Sequence, residues 1–215
     1  MSLFHNICVD NFFKDPCKIV EISKSLDYSD DHKGYGLRST DLSKININLF
    51  NYINWKIINT IYPGCGHVDY YATTTFQKSN IDKCDGWVHR DEGFLTAIIY
   101  LNSEGTFGTS IYEKINEYDS TPQFEKSHYF KNITNYTDEQ KEEVYRSKIN
   151  NNNKFYKTID YSGKFNRLIC FGAGVPHAAN VDCNLENHER LIIISFIEYI
   201  KINKFSNVGY LNLDF

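Results

Sequence analysis

His89, Arg90 and Asp91 stand together just ahead of an apolar run, Phe94 to Leu101. In an extended strand successive side chains alternate faces, so His89 and Asp91 project to one side and Arg90 to the other. An imidazole and a carboxylate side by side supply two of the three ligands of a 2-His-1-carboxylate face for non-haem Fe(II). The competing reading is a surface turn, because a chain with seven His can produce His-x-Asp by chance. A third ligand has to come from elsewhere.

His177 is the candidate. It follows the turn Gly172-Ala173-Gly174 at the mouth of a short strand, Pro176-His177-Ala178-Ala179, far in sequence from His89. Arg190 then heads the most apolar strand, Leu191 to Ile200. A guanidinium there is costly to bury without an anionic partner, and its fork of donors matches a carboxylate. The alternative for Arg190 is solvent, or pairing with Glu186 or Glu189. The other His (His5, His32, His67, His128, His188) have no accompanying ligands, although Cys65-Gly66-His67 could be a fragment of a soft-metal site.

The elements that must position these residues are mostly strands. Aromatics make up 15% of the chain, with 16 Tyr and 15 Phe, which favours sheet over a helical bundle. Phe4 to Phe13 reads as a short strand ending at Asp10-Asn11. Asp15-Pro16 starts a helix over about 15–26, and 46–61 is a second amphipathic helix stopped by Pro63-Gly64. Both are expected to cover one face of a sheet, with 28–42 as a polar loop between them. Strands are expected at 69–76, 94–101, 109–112, 167–171 and from Leu191. The segment 114–158 is polar and reads as an insertion, with Thr137 and Gln140 forming a capping box for a helix over 138–148.

These motifs together resemble the Fe(II)/2-oxoglutarate-dependent dioxygenases, in particular their prolyl-hydroxylase-like branch. The similarity lies in the order His-x-Asp, distal His, Arg, and in LTAIIYLN, GTSIYE, KFNRLICF and RLIIISF around it. It spans 68–113 and 159–200. It implies a mainly β double-stranded β-helix (jelly-roll or cupin-like), with the N-terminal helices packed on one sheet, and one domain over 1–215. Residues 1–67 would be helical support and 114–158 the insertion. The resemblance also implies that His89, Asp91 and His177 bind iron, that Arg190 holds the distal carboxylate of 2-oxoglutarate, and that Tyr100 donates to that carboxylate. The activity implied is hydroxylation by O2 with release of succinate and CO2. Halogenating relatives carry a small residue where Asp91 stands, so hydroxylation is the expected outcome.

Two positions depart from the family. A tyrosine common on the strand before His-x-Asp has its nearest match in Phe76, leaving Thr75, Gln77 or water as replacement donors. Ile192 stands where other branches have the Ser of Arg-x-Ser. A catalytically silent β-helix acting as a binding module is the alternative function, and a cupin-like isomerase or ring-opening dioxygenase would leave Arg190 and Tyr100 unexplained.

Composition excludes some classes. A net charge of -4 gives no basic surface for nucleic acid. No apolar run is long enough to span a bilayer, and the N-terminus has no signal-peptide pattern. Six Cys without any Cys-x-x-Cys spacing read as reduced thiols of a cytoplasmic protein. The substrate is not identified by any motif.

Overall fold

The computed structural model describes residues 6–30, 36–80, 86–102, 107–116, 136–181 and 189–205. The N-terminal part holds β1 (Ile7–Val9), α1 (Pro16–Lys24), β2 (Tyr28–Asp30), β3 (Leu37–Ser39), α2 (Leu42–Ile45) and α3 (Ile47–Ile61). Then come β4 (Cys65–Asn80), β5 (Leu95–Tyr100), β6 (Phe107–Lys114), α4 (Asp138–Asn152) and β7 (Phe155–Ser162). The chain continues through β8 (Leu168–Gly172), β9 (His177–Val181) and β10 (Glu189–Phe205). Each long helix begins at a side-chain cap: Asp15 accepts from Lys18 N–H, Asn46 from Leu49 N–H and Thr137 from Gln140 N–H.

The strands form a seven-stranded sheet in the order β1-β8-β5-β10-β4-β3-β2, and a three-stranded sheet in the order β7-β6-β9. All the pairings are antiparallel. This is the double-stranded β-helix that the motifs implied. Period-two alternation gives the larger sheet two different faces. Leu95, Ala97, Ile99 and Leu101 pack with Phe50, Ile53 and Ile57 of α3, whereas Ile98 and Tyr100 join Ile111, Ile169, Phe171, Ile192 and Ile194 between the sheets. Ile53 and Ile57 are fully buried, each burial contributing about 1.5–3 kcal/mol. Asn54 fixes the docking of α3: it donates to Thr74 Oγ1 at 2.9 Å and accepts from Ser195 Oγ at 2.7 Å. A buried polar network satisfied in this way specifies one register of helix on sheet.

Several boundaries differ from the sequence reading. The stretch 28–42 was expected to be a loop, yet β2 and β3 form a hairpin whose β3 pairs with the end of β4, and α2 follows with Asp41 as its cap. These strands are short and polar, so pairing to a long neighbour, and not local pattern, makes them strands. β4 runs 16 residues and β10 17 residues, both longer than expected, because each supplies the other's hydrogen-bond partners from Asn80↔Glu189 to Cys65↔Phe205. The insertion ends earlier than 158: β7 begins at Phe155 and is paired to β6. Residues 117–135 of that insertion lie outside the described residues, as do His5, His32, His128 and His188.

Candidate active site

His89 lies in an irregular segment, 86–91, with a single bridge to His177 at the start of β9. The expected regular strand at His89–Asp91 is therefore shorter: the chain bends after Asp91, passes Gly93 at φ +99°, and enters β5 at Leu95. Glycine suits that turn because an L side chain is strained at such a φ. Asp91 N–H donates to Ala173 O at 2.9 Å, which anchors the carboxylate-bearing residue to the turn before His177. The two histidines and Asp91 thus come from the ends of strands that the sheet already holds together.

Their side chains converge. One ligand atom from each of His89, Asp91 and His177 lies within 4.8 Å of the others. His89 Nε2 is 3.6 Å from Asp91 Oδ1, and His177 Nε2 is 3.2 Å from Asp91 Oδ2. Ligands at about 2.0–2.2 Å from one ion, at right angles, would sit about 3 Å apart, so this spacing suits a metal. Each ring is oriented by its other nitrogen. His89 Nδ1 is 2.8 Å from Trp87 O, and His177 Nδ1 is 2.9 Å from Val175 O. A carbonyl can only accept, so Nδ1 carries a proton in both, and Nε2 is the atom each ring turns to the centre.

Asp91 has a further partner that the sequence reading missed. Thr96 Oγ1 donates to Asp91 Oδ2 at 2.7 Å from the inner face of β5. Burial favours the neutral acid, but the hydrogen bond and charge of His177, the charge of His89 and the Thr96 hydroxyl outweigh it. Together they hold the Asp91 carboxyl well below its ordinary range. The signal was available: Thr96 alternates with Ile98 and Tyr100 on the face turned inward.

Arg190 occupies the same interior. Its residue is 5% exposed, and Nε is a buried donor with no hydrogen-bond partner among the described residues. Nη2 makes long contacts, 3.4 Å to Gly108 O and 3.5 Å to Thr109 Oγ1, and the guanidinium interacts with the Tyr100 hydroxyl and lies 5.5 Å from its ring centroid. Burial lowers its pKa from the ordinary arginine value, opposed by Tyr100. Glu189, one of the alternative partners, contacts Lys78 instead; Glu186 lies outside the described residues. Tyr100 is fully buried with its hydroxyl 2.7 Å from Thr109 Oγ1. Burial raises its pKa, with Arg190 and Thr109 acting the other way.

Phe76 is corrected. It belongs to the cluster under the helices, on the face of β4 turned away from Arg190. Thr75 and Gln77 pair with Ile194 and Ile192 and face inward, so they, not Phe76, hold the position from which a donor could reach the interior. His67 is exposed and contacts Asn203, while Cys65 is buried in the core. They form no metal cluster among the described residues.

A model of DUF6445, a family of unknown function, matches residues 5–190. The chain belongs to that family. No curated protein matches it in sequence. Among solved structures it is similar to SnoN, a non-haem alpha-ketoglutarate-dependent epimerase of nogalamycin biosynthesis. That superposition has a TM-score of 0.54 at 9% identity, over 90% of this chain and 78% of that one. HygX of Streptomyces hygroscopicus, solved with nickel and 2-oxoglutarate, matches at 0.54 and 9% identity over 88% and 81%. A Pseudomonas putida prolyl-4-hydroxylase superposes at 0.43 with 10% identity over 90% and 91%. What these neighbours share with the chain is the fold.

Proposed function

We propose that the whole chain, 1–215, is one oxygenase domain that uses Fe(II), 2-oxoglutarate and O2 to hydroxylate a substrate. The balance is substrate, O2 and 2-oxoglutarate to hydroxylated substrate, succinate and CO2. The observation that carries this reading is the buried guanidinium of Arg190, its Nε without a partner among the described residues, inside the same β-helix as the His89-Asp91-His177 cluster. A metal alone would account for the cluster, and an anionic second ligand would account for an arginine buried with no carboxylate partner among the described residues.

The residues present fit both groups. Three ligands clustered in this way leave further positions of an octahedral ion for other ligands, as in facial-triad sites. Iron bound there would supply the oxidation chemistry that couples 2-oxoglutarate decarboxylation to hydroxylation. His89 and His177 would offer Nε2 to the ion, with Trp87 O and Val175 O retaining the Nδ1 protons. Thr96 holds Asp91 in a fixed rotamer, and Asp91 fills the space that a halide would need. Arg190 binds the distal carboxylate of 2-oxoglutarate, with Tyr100 and Thr109 beside it. Ile192, Ile194, Ile169 and Phe171 make the interior apolar, which excludes water and strengthens that ionic contact.

The substrate is a small molecule or a protein side chain. No helix among the described residues is long and apolar enough to cross a membrane. Cys8, Cys17, Cys65 and Cys170 are free thiols, which supports a cytoplasmic setting as part of the proposal. The test is succinate formed from 2-oxoglutarate by the Fe(II)-loaded protein in air, with candidate substrates added. Succinate that depends on Asp91 and Arg190 supports the oxygenase. Tight 2-oxoglutarate binding without any succinate across substrates would leave the silent binding module.

A further inference from the structure

The helix α4 ends in an asparagine run, and two of these residues grip the segment that carries His89. Asn152 Oδ1 accepts from Val88 N–H at 2.9 Å, and Asn152 Nδ2 donates to Gly86 O at 2.9 Å. Asn151 Nδ2 donates to Val88 O at 2.8 Å. The opposite edge of this segment is paired to β9, through Gly86 N–H to Ala179 O and both backbone bonds between His89 and His177. Residues 86–89 are therefore held as a strand would be, with asparagine side chains taking the place of a neighbouring strand on one edge.

One detail connects this grip to the metal cluster. The N–H of Val88 and the C=O of Trp87 belong to the same planar peptide unit. Asn152 bonds the N–H end of that unit, and the C=O end accepts the Nδ1 proton of His89 at 2.8 Å. An acceptor on the N–H end fixes the plane and polarises the carbonyl, so the two hydrogen bonds strengthen each other. The path runs from Asn152 through one peptide to the imidazole, ending at the Nε2 that faces Asp91. Most of α4 is exposed, and its last turn is where it becomes buried, at Asn151 and then Phe155 just beyond it. The helix is docked by the end that touches Val88.

We propose that Asn152, supported by Asn151, is a positioning residue for His89, so that metal retention depends on docking of the C-terminal turn of α4. This rests on the reading of His89 as a metal ligand. It makes the insertion part of the metal site's support, although the insertion contributes no ligand. The Asn152–Val88 bond ties the C-terminal end of the 114–158 segment to the support of the centre.

The experiment compares full-length wild type, Asn152→Ala and Thr137→Ala. Thr137→Ala removes the capping box at the far end of α4 and leaves residues 86–88 untouched, so it controls for loss of helix stability. Two quantities are read: exchange of the Val88 amide in metal-free protein, and Co(II) affinity with its visible absorption spectrum. Loss of an outer-shell partner lowers metal affinity roughly 10–100-fold, and Asn152→Ala, acting one peptide further out, is expected near the lower end, with an altered Co(II) spectrum and a faster Val88 amide. Thr137→Ala should bind Co(II) as wild type does. Faster exchange with unchanged Co(II) affinity and spectrum would overturn the proposal, leaving a purely structural clamp. Unchanged exchange would overturn it by showing that the bond is not held. An equal loss of affinity in both variants would also overturn it, as general helix destabilisation. Failure of wild type to bind Co(II) would overturn the metal-site reading itself, an outcome separate from the other three.

Discussion

His89 and His177 face each other across two extended segments, exchanging both backbone hydrogen bonds at 3.0 and 2.8 Å with their ring centroids 4.3 Å apart. Residues 88 positions apart in sequence are thus made nearest neighbours by antiparallel pairing, and their rings fall on the same side of the sheet. The third member of the cluster, Asp91, needs only the bend after His89 to join them. Preorganisation of this kind means that a metal would bind without assembling its ligands first.

Substituting His89, Asp91 or His177 by Ala should reduce Fe(II) affinity by more than the roughly 10–100-fold that outer-shell changes cause. Circular dichroism should stay unchanged, because none of the three belongs to the hydrophobic core. Thr96→Val keeps the shape of the side chain and removes the hydrogen bond to Asp91, so it should fall within that 10–100-fold range. Anaerobic metal titration of each variant checks both expectations. Thr96→Val binding iron as wild type does would show that Asp91 needs no orienting partner.

Arg190 should lower the stability of the ligand-free protein while being required for cosubstrate. A buried guanidinium whose Nε has no partner among the described residues is only partly compensated, and hydrophobic replacement of buried ions gains about 1–4 kcal/mol in favourable cases. Arg190→Met should therefore raise the melting temperature in the absence of 2-oxoglutarate and abolish the further rise that 2-oxoglutarate gives. Thermal scans of metal-loaded wild type and variant, with and without 2-oxoglutarate, decide it. A lowered ligand-free melting temperature would mean that the contacts to Gly108, Thr109 and Tyr100 already stabilise the charge.

Tyr100→Phe should be mild by comparison. The hydroxyl has Thr109 as a partner, and one net hydrogen bond contributes about 0.5–1.5 kcal/mol. The KM for 2-oxoglutarate should rise no more than roughly 10–20-fold, with Fe(II) affinity unchanged. A rise as large as that of Arg190→Met would make Tyr100 an equal partner in holding the carboxylate.

Asp10, just past β1, carries a pH dependence. Asp10 receives hydrogen bonds from Arg167 and Lys164, and these hold its carboxyl below the ordinary range. A carboxylate with a depressed folded pKa stabilises the fold fully above its unfolded value of about 3.9, and that contribution is lost as pH falls toward the folded value. Asp10→Asn should be less stable than wild type by about 0.5–1 kcal/mol at neutral pH, as for other solvent-exposed pairs. In urea unfolding the gap should narrow by about pH 3. A gap of equal size at both pH values would mean that the pair does not titrate with folding.

The cluster was legible because its residue types are distinctive and two of them lie two apart. The caps at Asp15, Asn46 and Thr137 were legible because the hydrogen bonds are local, three residues long. What escaped depends on distant partners. β2 and β3 become strands through β4, and Asn151 and Asn152 reach Gly86 and Val88 across more than 60 positions. An asparagine run reads as a polar turn until something lies beside it. Phe76 was misplaced for a different reason: the strand was identified, but its phase relative to β10 was not, and one position of phase exchanges the two faces.

Calorimetric titration of 2-oxoglutarate into anaerobic protein, with and without Fe(II), tests the central claim most directly. A metal chelate at one end of the cosubstrate and an arginine at the other should give one molecule bound per chain only when metal is present. In Arg190→Ala the affinity should fall more than about 100-fold, since breaking one side of a buried charged pair costs about 3–5 kcal/mol. Binding that needs neither Fe(II) nor Arg190, or no binding by the metal-loaded wild type, would contradict the account.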